Sequence, residues 1–259
     1  MTKDKGCRAC RDGAALDFDF TMAFQPIVDV GSGHVWAYEA LVRGPNGEPA
    51  GTILDRVTDA TRYQFDQAAR VKAIELAGRL LPRDSDTRLS INFMPNAVYE
   101  PNACIRASLE AARRVDFSYR RIMFEFTEQE RFQDIEHVKR IVAAYRQQGF
   151  LTALDDFGAG FAGLNLLANF RPDLIKIDME LVRGIDTDSG RHAIVAGIIA
   201  IARALGVTVL AEGIETASER DALRGLGITL MQGYHFAKPQ LEALPEVEGF
   251  APRAAARAA

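Results

Sequence analysis

Two aspartates, Asp155-Asp156, stand side by side after the apolar run Phe150-Leu151-Thr152-Ala153-Leu154 and before Phe157-Gly158-Ala159-Gly160. The run reads as a buried strand and the glycines as the loop that leaves it. Two unit negative charges ~4 Å apart repel by ~4 kcal/mol at an effective dielectric near 20. A positive counter-charge is therefore expected, and a divalent metal ion is the obvious one. Taken alone, the same string is also an ordinary Asp-rich turn after a strand.

The surrounding chain decides between these readings. Polar residues recur late in other apolar runs: Glu39, Asn92, Glu125, Lys176 with Asp178, Glu212 and Gln232. Glu39, Glu125, Asp155, Asp156 and Glu212 supply five carboxylates, and Asn92 and Gln232 add amide oxygens. These are hard oxygen donors, suited to Mg²⁺ or Mn²⁺. No histidine stands late in a strand, which argues against zinc. Two divalent ions would nearly balance the carboxylates. One carboxylate between ions ~3.5–4 Å apart is the usual arrangement for phosphoester hydrolysis. Asp155 is the candidate for that bridge.

Such residues need a frame that gathers them from almost the whole chain. Residues 22–30 and 34–42 read as strands joined by Gly31-Ser32-Gly33, an antiparallel hairpin. Pro26 in the first suits an edge or a bulge. Helical periodicity follows at about 53–81, with Val71, Ile74, Leu76 and Leu80 among its apolar positions. Then come a strand at 88–93, a helix at about 102–115, a strand at 121–127, a helix at about 131–148 and the strand at 150–155. A short helix at about 161–169, a strand at 173–178, a helix at about 190–205, a strand at 207–212, a helix at about 216–226 and a strand at 228–232 complete the alternation. The expected fold class is α/β: a TIM-like (β/α)₈ barrel with one antiparallel strand from the N-terminal hairpin. An open doubly wound sheet competes, but its Gly-rich phosphate loop after the first strand is absent. In a barrel the carboxyl ends of the strands share one mouth, where the polar set would meet. The expected division is a polar tail over 1–19, the barrel over 20–248, and a disordered tail over 249–259, where the chain becomes Ala-rich.

Composition closes off other classes. The chain has 259 residues, 48% hydrophobic and 25% charged, with net charge −4. That is a globular composition with no general attraction to nucleic-acid polymers or anionic membranes. No run of ~18 apolar residues marks a membrane span. The N-terminus, Met1-Thr2-Lys3-Asp4-Lys5-Gly6, lacks the apolar core of a signal peptide, and the three cysteines suggest no disulfide framework, so a cytoplasmic location is expected. Cys7-Arg8-Ala9-Cys10 has no second thiol or histidine pair nearby and reads as incidental thiols, with a metal or redox role as the lesser alternative.

The residues also resemble a family. Glu39-Ala40-Leu41-Val42-Arg43, Ile91-Asn92-Phe93, Glu125-Phe126-Thr127-Glu128, Asp155-Asp156-Phe157-Gly158-Ala159-Gly160, Lys176-Ile177-Asp178, Ala211-Glu212-Gly213-Ile214-Glu215 and Gln232-Gly233-Tyr234 occur in the order found in EAL-domain proteins, cyclic di-GMP phosphodiesterases of bacterial signalling. The resemblance implies hydrolysis of cyclic di-GMP to linear pGpG by water activated between two Mg²⁺ or Mn²⁺ ions. It implies that Glu39, Asn92, Glu125 and Asp155 hold one ion, and that Asp155, Asp156 and Glu212 hold the other. Lys176 would orient the attacking water, and Glu212 is a further candidate base. Gln25, Glu39, Arg43, Asp178, Glu215, Gln232 and Tyr234 would contact the nucleotide, and Glu128 would anchor the loop after Asp156. Relatives often read D-D-F-G-T-G-Y-S-S-L there. Ala159, Phe161, Ala162 and Gly163 remove hydroxyls that could tie this loop down, while Leu164 agrees. The resemblance also implies a homodimer; a regulatory partner protein, a neighbouring domain, the Cys7/Cys10 tail and dimerisation are the open routes by which activity would be controlled. A catalytically silent cyclic di-GMP receptor is the alternative, and such members typically lose an acidic ligand. A barrel enzyme acting with Mg²⁺ on another phosphate or enol substrate is a third reading.

Overall fold

A computed structural model of the chain describes residues 15–127, 134–160 and 163–254. It begins with a hairpin: β1 (Thr21–Asp29) and β2 (His34–Arg43) run antiparallel. Gly33 closes the turn at a φ of 71°, a left-handed conformation that glycine adopts without steric cost. β3 (Arg88–Asn92), β4 (Ile122–Thr127), β5 (Leu151–Phe157), β6 (Leu174–Ile177), β7 (Thr208–Ala211) and β8 (Leu230–Met231) follow. Each lies parallel to the strand before it. β8 then pairs antiparallel with β1 through Val28 and Met231, and the sheet closes. This is the expected barrel, with β1 as its antiparallel strand. The open doubly wound sheet is excluded, because closure leaves no gap between β8 and β1.

Two irregularities in the ladder have local causes. Between β1 and β2 the register slips from Ile27–Ala37 to Val28–Val35, one residue past Pro26, and leaves Trp36 as the extra residue on β2. β1 meets β8 only at Val28 and Asp29, and β9 (Gln240–Leu241) only at Ala23 and Phe24. Pro26 falls between these short pairings, where its missing N–H breaks no ladder bond. On β5 the register passes from Leu154–Ile175 to Phe157–Ile177, so β5 carries one residue more than β6. That bulge contains Asp155 and Asp156.

Nine helices are described: α1 (Ala50–Leu54), α2 (Arg62–Leu80), α3 (Pro101–Cys104), α4 (Arg106–Arg114), α5 (Ile135–Gln147), α6 (Gly163–Asn169), α7 (Met179–Val182), α8 (Ser189–Leu205) and α9 (Ala217–Gly225). Two helices read as continuous are each divided. The expected helix at 53–81 breaks over 55–61, where the Thr61 hydroxyl accepts from Thr58 N–H and makes a local turn. The expected helix at 102–115 divides at Ile105. The buried face of α2 also differs from the apolar stripe. It presents Ala69, Ala73 and Ala77 with the ion pair Asp66–Arg70, whose side chains are almost wholly buried 2.8 Å apart. Val71, Leu76 and Leu80 are only partly covered.

The C-terminal segment departs from the expected tail. β10 (Ala251–Pro252) adds parallel to β2, Asp86 N–H donates to Arg253 O at 2.9 Å, and Ala254 bridges to Ser85. Residues 249–254 are therefore tied to the barrel by backbone bonds, which a composition-based reading cannot see. Residues 255–259 and the Cys7/Cys10 tail lie outside the described residues.

The barrel interior is layered by strand parity. Ile27, Ala37, Met123, Ala153, Leu174, Leu210 and Leu230 form a buried apolar plug. Two residues further toward the mouth, on the same strands or just past their ends, stand Gln25 (on the reversed β1), Glu39, Glu125, Asp155, Lys176, Glu212 and Gln232. A period of two places each pair on one face. The polar layer thus rests directly on a dry floor.

Candidate active site

Lys176 is the centre of the polar layer. Its Nζ lies 2.7 Å from Glu212 Oε1, 2.9 Å from Glu125 Oε2, 2.9 Å from Asp155 Oδ1 and 3.4 Å from Glu39 Oε2. The lysine and Glu125 side chains are essentially inaccessible, whereas Asp155 and Glu212 keep 13% and 17% exposure and face the mouth. Each contact is worth about 5–6 kcal/mol of attraction at an effective dielectric near 20, set against burial and mutual repulsion of the carboxylates. The titration follows from this crowding. Burial, with the charges of Glu39 and Asp155, pushes the Glu125 carboxyl up to about 8 despite Lys176. Burial and the Asp155 charge push Glu212 well above the usual carboxylate range. Burial opposes the Lys176 charge, but Asp155, Glu125, Glu212 and Glu39 outweigh it and hold its pKa well above the usual value.

Neighbours orient each acid. Glu39 Oε1 accepts from Asn92 Nδ2 at 2.9 Å, and its Oε2 accepts from Gln232 Nε2 at 2.8 Å. Gln232 also reaches Gln25, which donates to Ala237 O. The Ser90 hydroxyl donates to Glu125, and the Thr127 hydroxyl donates to Asp156 Oδ2 at 3.0 Å. The bulge in β5 explains how adjacent aspartates serve one mouth, since successive strand residues otherwise face opposite sides. Asp156 takes a φ of 54°, which Asp tolerates better than most residues. Burial and Asp155 raise its pKa.

Two sets of three carboxylates have oxygens within 4.8 Å of one another: Glu39, Glu125 and Asp155, and Asp155, Asp156 and Glu212. Asp155 belongs to both. Its buried Oδ1 lies near Lys176 but accepts no hydrogen bond among the described residues. The donors are all oxygens, and their surplus negative charge raises carboxyl pKa values instead of being cancelled. The residues present therefore fit divalent cations. Asn92 borders the first set through Glu39.

Above the ring is a cavity of about 320 Å³ lined by Gln25, Glu39, Asp156, Asp178, Glu212, Glu215, Gln232 and Tyr234. It gathers most of the expected nucleotide contacts. Arg43 is not part of that lining; its guanidinium folds back to Val42 O at 2.7 Å. Asp178 also caps α7, accepting from Glu180 N–H at 2.8 Å. Glu128 lies outside the described residues. Sequence reasoning missed Arg183, which lines the cavity and pairs with Glu215 at 2.7 Å. It follows a four-residue helix and carries no sequence signal. It also missed Glu219, whose carboxylate accepts from Gly184, Glu215 and Thr216 N–H groups and so holds the loop after Glu212. The spacing Thr216-x-x-Glu219, a capping box, was the available signal. Gly233 is required by contact: a Cβ there would lie 2.1 Å from Ile214 O.

Comparison with known proteins gives concordant likenesses. The family profile described as "EAL domain" matches residues 11–239. The blue light- and temperature-regulated antirepressor BluF of Escherichia coli K12 is 33% identical over 245 residues, covering 94% of this chain and 60% of BluF. The probable cyclic di-GMP phosphodiesterase PdeG of the same organism is 30% identical, covering 90% of this chain and 46% of PdeG. The chain thus spans about half the length of these curated relatives. The cyclic di-GMP-bound crystal structure of a standalone versatile EAL protein from Vibrio cholerae O395 superposes with a TM-score of 0.86 at 51% identity, covering 90% of this chain and 98% of that one.

Proposed function

The chain belongs to the EAL-domain family, and from that premise we propose that it is a metal-dependent phosphodiesterase hydrolysing cyclic di-GMP to linear pGpG. The observation that carries this reading is the pair of carboxylate sets sharing Asp155, gathered around buried Lys176 beneath a cavity lined by polar groups. Glu39, Asn92, Glu125 and Asp155 would hold one ion, and Asp155, Asp156 and Glu212 the other. Mg²⁺ or Mn²⁺ there supplies electrostatic stabilisation of the phosphoryl oxygens and lowers the pKa of water. Lys176 holds its proton and, fixed by four carboxylates, is placed to orient the attacking water. Glu212, at the mouth, is placed to accept the proton of that water. The water oxygen joins phosphorus, one phosphodiester P–O bond breaks, and the leaving oxygen takes a proton. Gln25, Gln232 and Glu39 form one wall for the nucleotide. Tyr234, 57% exposed, offers an aromatic face to a base, and Asp178, Arg183 and Glu215 lie beyond it. Arg43 would contribute only by leaving the Val42 carbonyl.

A homodimer is part of the proposal, supported by the exposed Leu164, Ile194 and Ile201 on α6 and α8 beside the loop after Asp156. Light scattering of the purified protein tests it. No described helix is long and apolar enough to cross a membrane; a cytoplasmic location remains part of the proposal. A receptor role that signals to a partner is the second reading, favoured by the likeness to an antirepressor. The complete ligand set favours turnover. Incubation with cyclic di-GMP and Mg²⁺ or Mn²⁺, with and without EDTA, followed by chromatography decides. Metal-dependent pGpG supports the enzyme, and tight binding without turnover in either metal supports the receptor.

A further inference from the structure

At the opposite end of the barrel, the segments entering β3 and β4 meet the end of β10 around a cavity of about 410 Å³. Arg83, Arg88, Arg120, Arg121 and Arg253 line it. Asp86 also lines the cavity, beside Arg88 and Arg121, and Asp116 pairs with exposed Arg83 at 3.1 Å, so two carboxylates offset five guanidiniums. The cluster is therefore strongly cationic on a chain of net charge −4.

Two of the guanidinium groups are held in place. Arg88 lies over the Trp36 ring at 4.8 Å, and Arg121 over Phe117 at 4.5 Å. Arg121 Nε donates to Thr87 O at 2.8 Å. The backbone of Arg253 is pinned on both sides: its N–H donates to Thr87 Oγ1 at 3.2 Å, and its carbonyl accepts from Asp86 N–H at 2.9 Å and Ser85 Oγ at 3.0 Å. Yet Arg88 Nε and Nη1 and Arg121 Nη2 are buried atoms with no acceptor among the described residues. Each such donor left unmet costs about 1–3 kcal/mol. Stacking has already restricted these two side chains, but their unmet nitrogens are closed to solvent, so exposed Arg120 and Arg253 make the first contact with an anion and a small opening of the pocket wall brings it to the inner donors. Guanidinium forks converging from three segments on one concavity match tetrahedral oxyanions carrying several charges.

We propose that this basal pocket binds a multivalent phosphate anion: pyrophosphate, or the phosphate chain of a nucleotide. The site is separate from the carboxylate ring and independent of any reading of that ring.

Calorimetric titration of the full chain in EDTA at low salt, with pyrophosphate and with GTP as probes, tests it. Saturable pyrophosphate binding is expected, weakened at least about tenfold in the double variant Arg120→Glu with Arg253→Glu, given ~1.5–3 kcal/mol per charge-assisted hydrogen bond. Both side chains are exposed, so an unchanged melting temperature verifies the fold. Asp155→Asn at the other mouth should leave the affinity intact. Equal or tighter GTP binding identifies a nucleotide as the source, and binding of pyrophosphate alone identifies free phosphate; both support the site. No saturation at millimolar probe, equal affinity in the double variant, or loss in Asp155→Asn overturns it. So does binding confined to an acidic polypeptide such as polyglutamate.

Discussion

Replacing Lys176 with methionine tests whether this ammonium is what holds the ring together when no ion does. Methionine keeps an unbranched apolar stem, ends one atom short of the lysine Nζ, and leaves four carboxylates around an apolar tip. Breaking a buried ion pair by removing one partner costs about 3–5 kcal/mol. In chains of roughly this size each kcal/mol moves the melting temperature by ~2–4 °C, so a fall of about 6–20 °C is expected in EDTA. The pH dependence sharpens the test. Glu125 titrates near 8 in the folded protein against 4.5 unfolded, so the native state holds a proton that the unfolded chain has lost. Stability therefore falls as pH rises from about 4.5 through about 8. Without Lys176 the carboxyl values climb further and the fall extends to higher pH. Lys176 itself is raised above 10.5, so its contribution is constant over that range. The gap between wild type and variant should be small near pH 6, wide near pH 9, and narrowed by Mn²⁺. Differential scanning calorimetry at both values measures it. A variant melting within about 2 °C of wild type at pH 9 in EDTA would refute the counter-ion argument.

Asp155→Asn should lower pGpG formation more than about a hundredfold, beyond the 10–100-fold typical of residues that only orient ligands; chromatographic turnover assays measure it, and near-normal rates would remove the shared bridge. Ser90→Ala takes a donor from Glu125 and should weaken metal affinity by ~10–100-fold without unfolding the chain, read by Mn²⁺ titration. Thr216→Ala removes one arm of the capping box and should cost about 1 kcal/mol, or ~2–4 °C, in thermal melts. Gly233→Ala drives a methyl into the Ile214 backbone and should cost ~1–3 kcal/mol while raising KM more than it alters the metal titration.

The barrel was legible because its evidence is periodic: an alternation of strands and helices, and acids placed where strands end. Ala37 with Glu39 and Leu174 with Lys176 show the rule, apolar below and polar two residues above. Side-chain type alone thus marked the ring. What escaped depends on contacts between distant segments. Asp66 and Arg70 look like the solvent face of a helix until their mutual pairing, and the bond from Met94 N–H to Asp66 Oδ1, account for their burial. The bulge at Asp155 exists only relative to β6. Residues 240–254 form strands of two residues each, too short for any period to register.

The seam of the barrel also sets an order in time. β1 needs β8, about 200 residues later in the chain, before its second edge is covered. During synthesis at ~5–20 residues per second, the hairpin emerges first and waits tens of seconds with an apolar edge exposed. Such distant pairings slow folding. Pro26, whose nitrogen has no hydrogen to donate and shares the parity of Val28 and Val30 on that edge, interrupts it in that interval and makes it a poorer template for other nascent chains. Closure comes only when Leu230–Met231 arrives, and the short β9 and β10 then fasten onto the two oldest strands. The ring of acids, drawn from Glu39 to Glu212, cannot be complete until β7 and the loop after it have been made.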